Sequence, residues 1–323
     1  MKNNRKIWIT WHYSARSRNL ASYLNLPIFE EMIVKNTLIR HLVSSIWTVK
    51  ILIVQRPTII FIQLSFLLLL FCAIYKIIRF NKVVIVADCH TKALRRKAKG
   101  PLNKIFWPLK KFCFKTVNLS IISNTGMEKD IKILHCNYII LPDKIPEIVY
   151  KKQSNKKKKY CVYISSFAVD EPFEEIFEVA EILNPEINIF WTGKQNRTKK
   201  EGFIIPENLN FTGYMKFDEY YKLIANADCL LALTYEDDCL QSGAYEALSV
   251  QVPMVISDSK ALRDYFSESA IYTDHNPINI ANNIQKAIEN CIKFQKNEIE
   301  IKNLRNEEFK FQVDKLIQII KSA

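Results

Sequence analysis

Residues 231–258 read LALTYEDDCLQSGAYEALSVQVPMVISD. Together with Leu230, the first residues make a short apolar run ended by polar ones, the pattern of a buried parallel strand. Glu236, Asp237 and Asp238 follow as three consecutive acids. Ala244, Ala247 and Leu248 then fall on helical spacing, and that helix stops before Pro253. Met254, Val255 and Ile256 form the next strand, closed by Ser257 and Asp258. Strand, acidic turn, helix, short loop and strand make one repeat of an open α/β sheet.

A helix that begins near Gln241, Ser242 and Gly243 leaves its first amide groups unpaired and partially positive. A phosphate or pyrophosphate sits well there, and Gly243 lets a ligand approach the backbone. Glu246 falls about one turn into the helix, placed to accept hydrogen bonds from sugar hydroxyls. Asp238 stands on the preceding turn, separated from Glu246 by seven residues. The set suits a diphosphate flanked by two polyols, which is the shape of a nucleotide sugar. Acids at a helix start also serve simply to complement its dipole, so spacing alone leaves both readings open.

The segment GAYEALSVQVPMVISDSKALRDYF (residues 243–266) resembles the donor-binding segment of family 4 glycosyltransferases, retaining enzymes of the GT-B fold. That family pairs two acids across seven residues, with an EA dipeptide before a short loop, a Pro and a strand. The resemblance covers most of the C-terminal half and the N-terminal half loosely. It implies a sugar nucleotide as donor, with Glu246 on its ribose and Asp238 on the transferred sugar. Three departures stand out. Asp238 replaces the usual Glu, the loop 249–253 lacks its usual Gly, and Ser166 and Glu171 occupy the places of an Arg and a Lys that bind the diphosphate. Lys194 or Arg197 after the next strand, or a basic residue of the N-terminal half, are the alternative counter-charges.

Composition sets outer bounds. A chain of 323 residues with 49% apolar and 12% aromatic content has room for two ordinary cores. With only 6 Gly there is no Walker sequence and no GxGxxG loop. The 8 Cys are scattered with no CxxC pair, which reads as buried thiols of a reducing cytoplasm, not disulfides or a zinc site. Residues 1–150 carry 24 Lys/Arg against 7 Asp/Glu, a net of +17; the remainder carries 22 against 26, a net of −4. The first half therefore expects an anionic partner: nucleic acid, acidic phospholipid or a pyrophosphate-linked substrate. The N-terminus is basic, but its apolar stretch is too short for a secretory signal.

Taken in order, a first strand at residues 6–10 runs into the polar loop holding His12, Arg16 and Arg18. A helix is expected over 19–24, with Ser14 or Ser17 as a cap. Carboxyl ends of strands are where open α/β sheets hold ligands, which marks His12, Arg16 and Arg18 for the acceptor or diphosphate side. Residues 33–55 read as a helix with a mixed face. Residues 58–75 are apolar enough to suggest a membrane span, but Gln63 and Ser65 interrupt them and KVVIVA (82–87) follows as another strand, so strand plus helix is the expectation. His90, just past that strand, matches the family loop that presents a His to the reacting sugar. KALRRKAK (92–99), with the Lys and aromatic residues up to 115, makes a basic-aromatic region. No nucleic-acid motif accompanies it, which points to an anionic membrane surface. In the second half Tyr214 follows a strand and Gly, where the family places the base. Residues 298–320 read as a helix that crosses back to the first domain.

The expected fold class is α/β, a GT-B architecture of two doubly wound Rossmann-like domains facing a cleft, residues 1–145 for the acceptor and 146–323 for the donor. The expected activity is retaining transfer from a nucleotide-diphosphate sugar to a glycan, carried on a polyprenyl pyrophosphate at the cytoplasmic face of the plasma membrane, in surface-polysaccharide synthesis. No metal or other cofactor and no nucleic acid are expected. A sugar-nucleotide epimerase of the same fold and a non-catalytic, membrane-bound partner of an active transferase are the alternatives.

Overall fold

Two six-stranded sheets organise the chain, and every strand pair in them is parallel. The structure is a computed structural model that describes residues 5–31, 37–94, 101–150, 158–194 and 204–322, with no side-chain description for 37, 92, 93, 101–106 and 322. Two compact units result: Met1–Lys144 with Phe309–Ala323, and Ile145–Glu308.

The first unit holds β1 (Lys6–Thr10), α1 (Ala15–Tyr23), β2 (Ile28–Glu30), α2 (Thr37–Gln55), β3 (Ile59–Gln63) and α3 (Phe66–Ile78). It continues through β4 (Val84–Asp88), α4 (Thr91–Leu94), α5 (Pro101–Phe114), β5 (Leu119–Ile122), α6 (Glu128–Ile133) and β6 (Tyr138–Ile140). The strand order is β2-β1-β3-β4-β5-β6. The chain reverses its direction of travel between β1 and β3, so the carboxyl ends of those two strands flank the switch point where such sheets bind ligands.

The apolar stretch around 58–75 is a strand and a helix. All five residues of β3 are buried in the sheet. The helix α3 buries Leu68, Leu69, Cys72 and Ala73 and leaves Ile74, Ile77 and Ile78 exposed. Lys76 is buried with them; its Nζ donates to Thr116 O and Asn118 Oδ1, both at 2.7 Å. Ser14 caps α1, accepting from Ser17 N at 3.1 Å, so that helix begins at Ala15 instead of residue 19. The three-residue edge strand β2 was not expected; its IFE sequence is only half-buried, which removes the apolar run that marks inner strands.

The second unit holds β7 (Tyr160–Tyr163), α7 (Glu174–Ile182), β8 (Asn188–Thr192), β9 (Leu209–Gly213), α8 (Phe217–Ala225) and β10 (Cys229–Ala232). After these come α9 (Ser242–Val250), β11 (Met254–Ser257), α10 (Lys260–Phe266), β12 (Ala270–Thr273), α11 (Pro277–Glu289) and α12 (Cys291–Ser322). Its order, β12-β11-β10-β7-β8-β9, is that of a Rossmann sheet, with the switch point between β7 and β10. Its core centres on Trp191, whose ring stacks on Phe167 with centroids 4.9 Å apart and 5° between planes.

The helix α12 is longer than expected, running from Cys291, and it is shared. Arg305 is still in the second unit, with Nε donating to Tyr265 O at 2.8 Å. From Phe309 onward it belongs to the first, where Phe309, Val313, Leu316 and Ile320 join Trp8, Leu20 and Phe61 in one core cluster. Six of the eight cysteines are buried.

Candidate active site

In the second unit the switch point is framed by the loops after β7 and β10 and by the start of α9. Asp238 lies on the turn after β10 and is 7% exposed. Gln241 is the residue before α9, in extended conformation, and its side chain does not cap the helix. Instead its Nε2 donates to Leu233 O at 2.6 Å, closing the turn, while its buried Oε1 has no hydrogen-bond partner. Ser242 opens the helix and is exposed, so the first amides of a nine-residue helix stand at the switch point.

Gly243 has a packing reason as well. A Cβ there would lie 3.0 Å from Ile164 Cβ and Cγ2 and 3.1 Å from Ala232 Cβ. Its hydrogen faces the sheet, and glycine is what lets α9 lie close on β7 and β10. The loop glycine missing from the family pattern is explained too. Gln251 ends α9 in the left-handed region, φ 56°, where glycine is the usual residue.

Glu246, in the second turn of α9, accepts a short hydrogen bond from the Tyr220 hydroxyl of α8. Burial pushes its carboxyl up to about 7, against the pull of that hydrogen bond, which lowers it. Burial and the neighbouring Glu246 charge also raise the Tyr220 phenol, keeping it a donor.

The loop after β7 is filled by its own anion. The Glu171 carboxylate accepts from Ser166 N at 3.0 Å, Ala168 N at 3.1 Å, Ser165 Oγ at 2.7 Å and Ser166 Oγ at 3.0 Å. Phe167 takes a positive φ of 59° inside this clasp. The loop after β8 presses against it: a Cβ on Gly193 (φ 104°) would meet Ser165 O at 2.4 Å, so only glycine fits. Lys194, the next residue, is exposed. Arg197 lies outside the described residues. Tyr214, after β9, is 84% exposed.

Sequence reasoning missed His275. It follows β12, its Nε2 lies 3.1 Å from Ser257 Oγ and 3.0 Å from Thr234 O, and its ring packs edge-on to Tyr235 at 4.6 Å. It ties together the carboxyl ends of β10, β11 and β12. A lone His between two polar residues carries no signal of this in one dimension.

In the first unit the switch point carries a side-chain relay. Thr10 Oγ1 donates to Gln63 Oε1 at 2.5 Å, and Gln63 Nε2 meets His90 Nε2 at 2.7 Å. His12 stands on the adjacent loop and keeps solvent contact. Partial burial first, then the charges of His90 and Arg40, hold its pKa below the usual imidazole value.

The two arginines are already engaged. Arg16 is buried, with Nε 2.9 Å from Asp88, Nη1 2.5 Å from Asp143 and Nη2 2.8 Å from Leu141 O. Burial works against its charge, but the two carboxylates outweigh it and raise its pKa. Held by two carboxylates and a carbonyl, it braces the ends of β4 and β6. Arg18 is exposed, paired with Glu30 at 2.5 Å and lying 4.6 Å over the Tyr13 ring. Among the described residues no group of three His, Cys, Asp or Glu side chains converges as a metal site.

The sequence model of the family described as glycosyl transferases group 1 matches residues 144–305. The chain belongs to this family, and it is a glycosyltransferase. No curated protein matches it by sequence. Among solved structures, Anabaena Alr3699/HepE in complex with UDP superposes with a TM-score of 0.73 at 10% identity, covering 99% of this chain and 100% of that one. A glycosyltransferase from Rickettsia africae gives 0.71 at 9% identity, over 99% and 98% of the two chains. A UDP-N-acetylglucosamine 2-epimerase described as putative, from Listeria monocytogenes, gives 0.61 at 9%, over 99% and 96%. At these identities the likeness establishes the GT-B fold of two Rossmann-like domains.

Proposed function

We propose that the enzyme transfers a sugar, with retention at the anomeric carbon, from a nucleoside-diphosphate sugar held by the second unit to a glycan held by the first. The observation that carries the donor half is the pair formed by the open amides of α9 at Gln241–Gly243 and the half-buried Glu246, at the switch point of a Rossmann-ordered sheet. Glu246 takes the ribose hydroxyls. Asp238 takes hydroxyls of the transferred sugar, and the α9 amides take the diphosphate as it leaves.

Glu171 occupies the loop amides next to that place and adds negative charge, so cations must offset the diphosphate. Lys194 is the described candidate, with Arg197 and the basic first unit as the others. Tyr214 is the candidate for the base. No metal is invoked, because the helix amides and a Lys or Arg supply the stabilisation that a cation would give. In the first unit His90, oriented by Gln63, serves the reacting sugar, with His12 beside it. The acceptor hydroxyl forms the new bond at the anomeric carbon as the bond to the diphosphate oxygen breaks, and its proton leaves with the nucleoside diphosphate.

The net +17 of residues 1–150 favours an acceptor carried on a polyprenyl pyrophosphate at an anionic membrane surface, on the cytoplasmic side, for surface-polysaccharide assembly. Because Alr3699/HepE binds UDP, uridine donors come first among those to test. Calorimetry and thermal shift with UDP-, GDP-, ADP- and TDP-sugars on wild type and Glu246→Ala decide the donor half. Micromolar binding of one donor, lost in the variant, is expected. A folded wild type that binds none of them overturns the reading, and change of the donor without any acceptor turns it towards the epimerase.

A further inference from the structure

We infer that the exposed face of α2, continued by the end of α3, docks the first unit onto an anionic lipid surface. This deepens the membrane-surface reading above and moves it from the basic-aromatic α5 region to a helix that showed only a mixed face in the sequence.

The helix α2 has two faces. One is seated: Ser44, Thr48, Ile51 and Leu52 are buried, and Thr48 Oγ1 accepts from Trp11 Nε1 at 2.8 Å. The other is an apolar stripe in solvent. Leu38 is 79% exposed, Leu42 64%, Ile46 64% and Ile53 62%, spaced so that they follow one side of the helix. α3 packs alongside α2 and ends in more of the same, with Ile77 at 53%, Ile78 at 67% and Phe80 at 85%. Contiguous exposed apolar surface of this kind marks an interaction site.

Charge chooses the occupant. Between Glu31 and Glu128 the sequence has one acid, Asp88, and that one is buried against Arg16. Neither α2 nor α3 contains a carboxylate, while Lys50, Arg56, Arg79 and Lys82 are exposed at their ends or just beyond. Both helices run against the parallel strands, so these cations gather at the amino edge of the sheet, away from the switch point. An apolar stripe rimmed by cations matches acyl chains beneath anionic headgroups. A second copy of the chain on this face would set the same cations against each other with no carboxylate to pair them. By length and composition α2 is, among the described residues, the one helix able to cross a membrane. Crossing would strip its seated face and the Trp11–Thr48 hydrogen bond from the unit, so it lies in the surface and does not span.

The test is flotation of the full-length protein with phosphatidylcholine vesicles, alone or with about 30% phosphatidylglycerol. The comparison is wild type against the triple variant Leu42→Glu, Ile46→Glu, Ile53→Glu and against Lys110→Ala, Lys111→Ala, Lys115→Ala on α5 and the turn after it. Wild type is expected to bind the anionic vesicles, and less so in about 0.5 M salt. The triple-Glu variant is expected to lose at least about tenfold in vesicle affinity with an unchanged melting curve and gel-filtration position. The α5 variant is expected to lose less. Vesicle binding that survives triple-Glu and is abolished by the α5 variant overturns the inference. So does a wild-type dimer that triple-Glu makes monomeric while vesicle binding is unaltered. Donor binding in calorimetry is measured on the same variants; its absence would strike the reading of the second unit and leave this one standing.

Discussion

Glu246 is a carboxyl tuned to titrate near neutrality. Its ordinary value is 4.5, and burial lifts it to about 7. If the ionised form binds the donor ribose, affinity falls as pH falls through that value. One unit below it about a tenth of the sites are ionised, one unit above about nine tenths, so calorimetry should find donor binding about tenfold weaker on the acid side. Glu246→Gln should bind more weakly and flatten the profile. Stability moves the other way. A carboxyl with a raised native pKa holds its proton more tightly when folded, so its contribution is full below pH 4.5 and is lost as pH rises to about 7. Above that, Glu246→Gln should exceed wild type in stability by up to about 3 kcal/mol in urea titrations. Glu246 was legible in the sequence because helix spacing and a neighbouring acid pointed to it. Tyr220, which donates to it from α8, was not, because nothing local ties residues 26 positions apart. Gln63 reads in the sequence as an interruption of an apolar run, and only the parallel register of β1, β3 and β4 makes it the link from Thr10 to His90.

At the scale of the element, α9 shows how one helix end is read well and the other differently. The sequence puts the start at Gln241–Gly243, and the helix starts at Ser242. The reason for Gly243 was invisible, because the Ile164 and Ala232 side chains that crowd it come from β10 and the end of β7. The other end departs from the family by having no glycine, and the structure shows that the turn is kept and Gln251 bears the strain of a left-handed φ. Gln251→Gly should therefore raise stability by about 0.5–1 kcal/mol in chemical denaturation, with donor affinity unchanged. A loss instead would mean that the Gln side chain holds the loop before Pro253. Strands were the easiest elements to read, since inner parallel strands are continuous apolar runs. The exposed face of α2 is not legible in the sequence, because apolar residues on two sides of a helix look the same there whether one side is covered or not.

For the whole molecule, two sheets and their alternation with helices follow from periodicity alone, and so does the asymmetry of charge between the halves. Sequence suggests a return of the last helix but not its depth. Phe309, Val313, Leu316 and Ile320 are buried in the core of the first unit. Each such side chain contributes about 1.5–3 kcal/mol of burial, against a typical domain stability of about 5–15 kcal/mol. Ending the chain at Glu308 should abolish the calorimetric transition of the first unit and keep that of the second. If both transitions survive, the helix is an accessory and not part of the core. The shared helix also has a meaning in time. The first unit starts the chain, but a wall of its core is made only after the whole of the second unit has been synthesised. On the ribosome the second unit is complete in sequence while the first still lacks that wall, so the usual N-terminal-first order of domains is not expected to hold here. Until Phe309 and the residues after it emerge, the apolar face they cover is the part of the nascent chain that chaperones would have to shield.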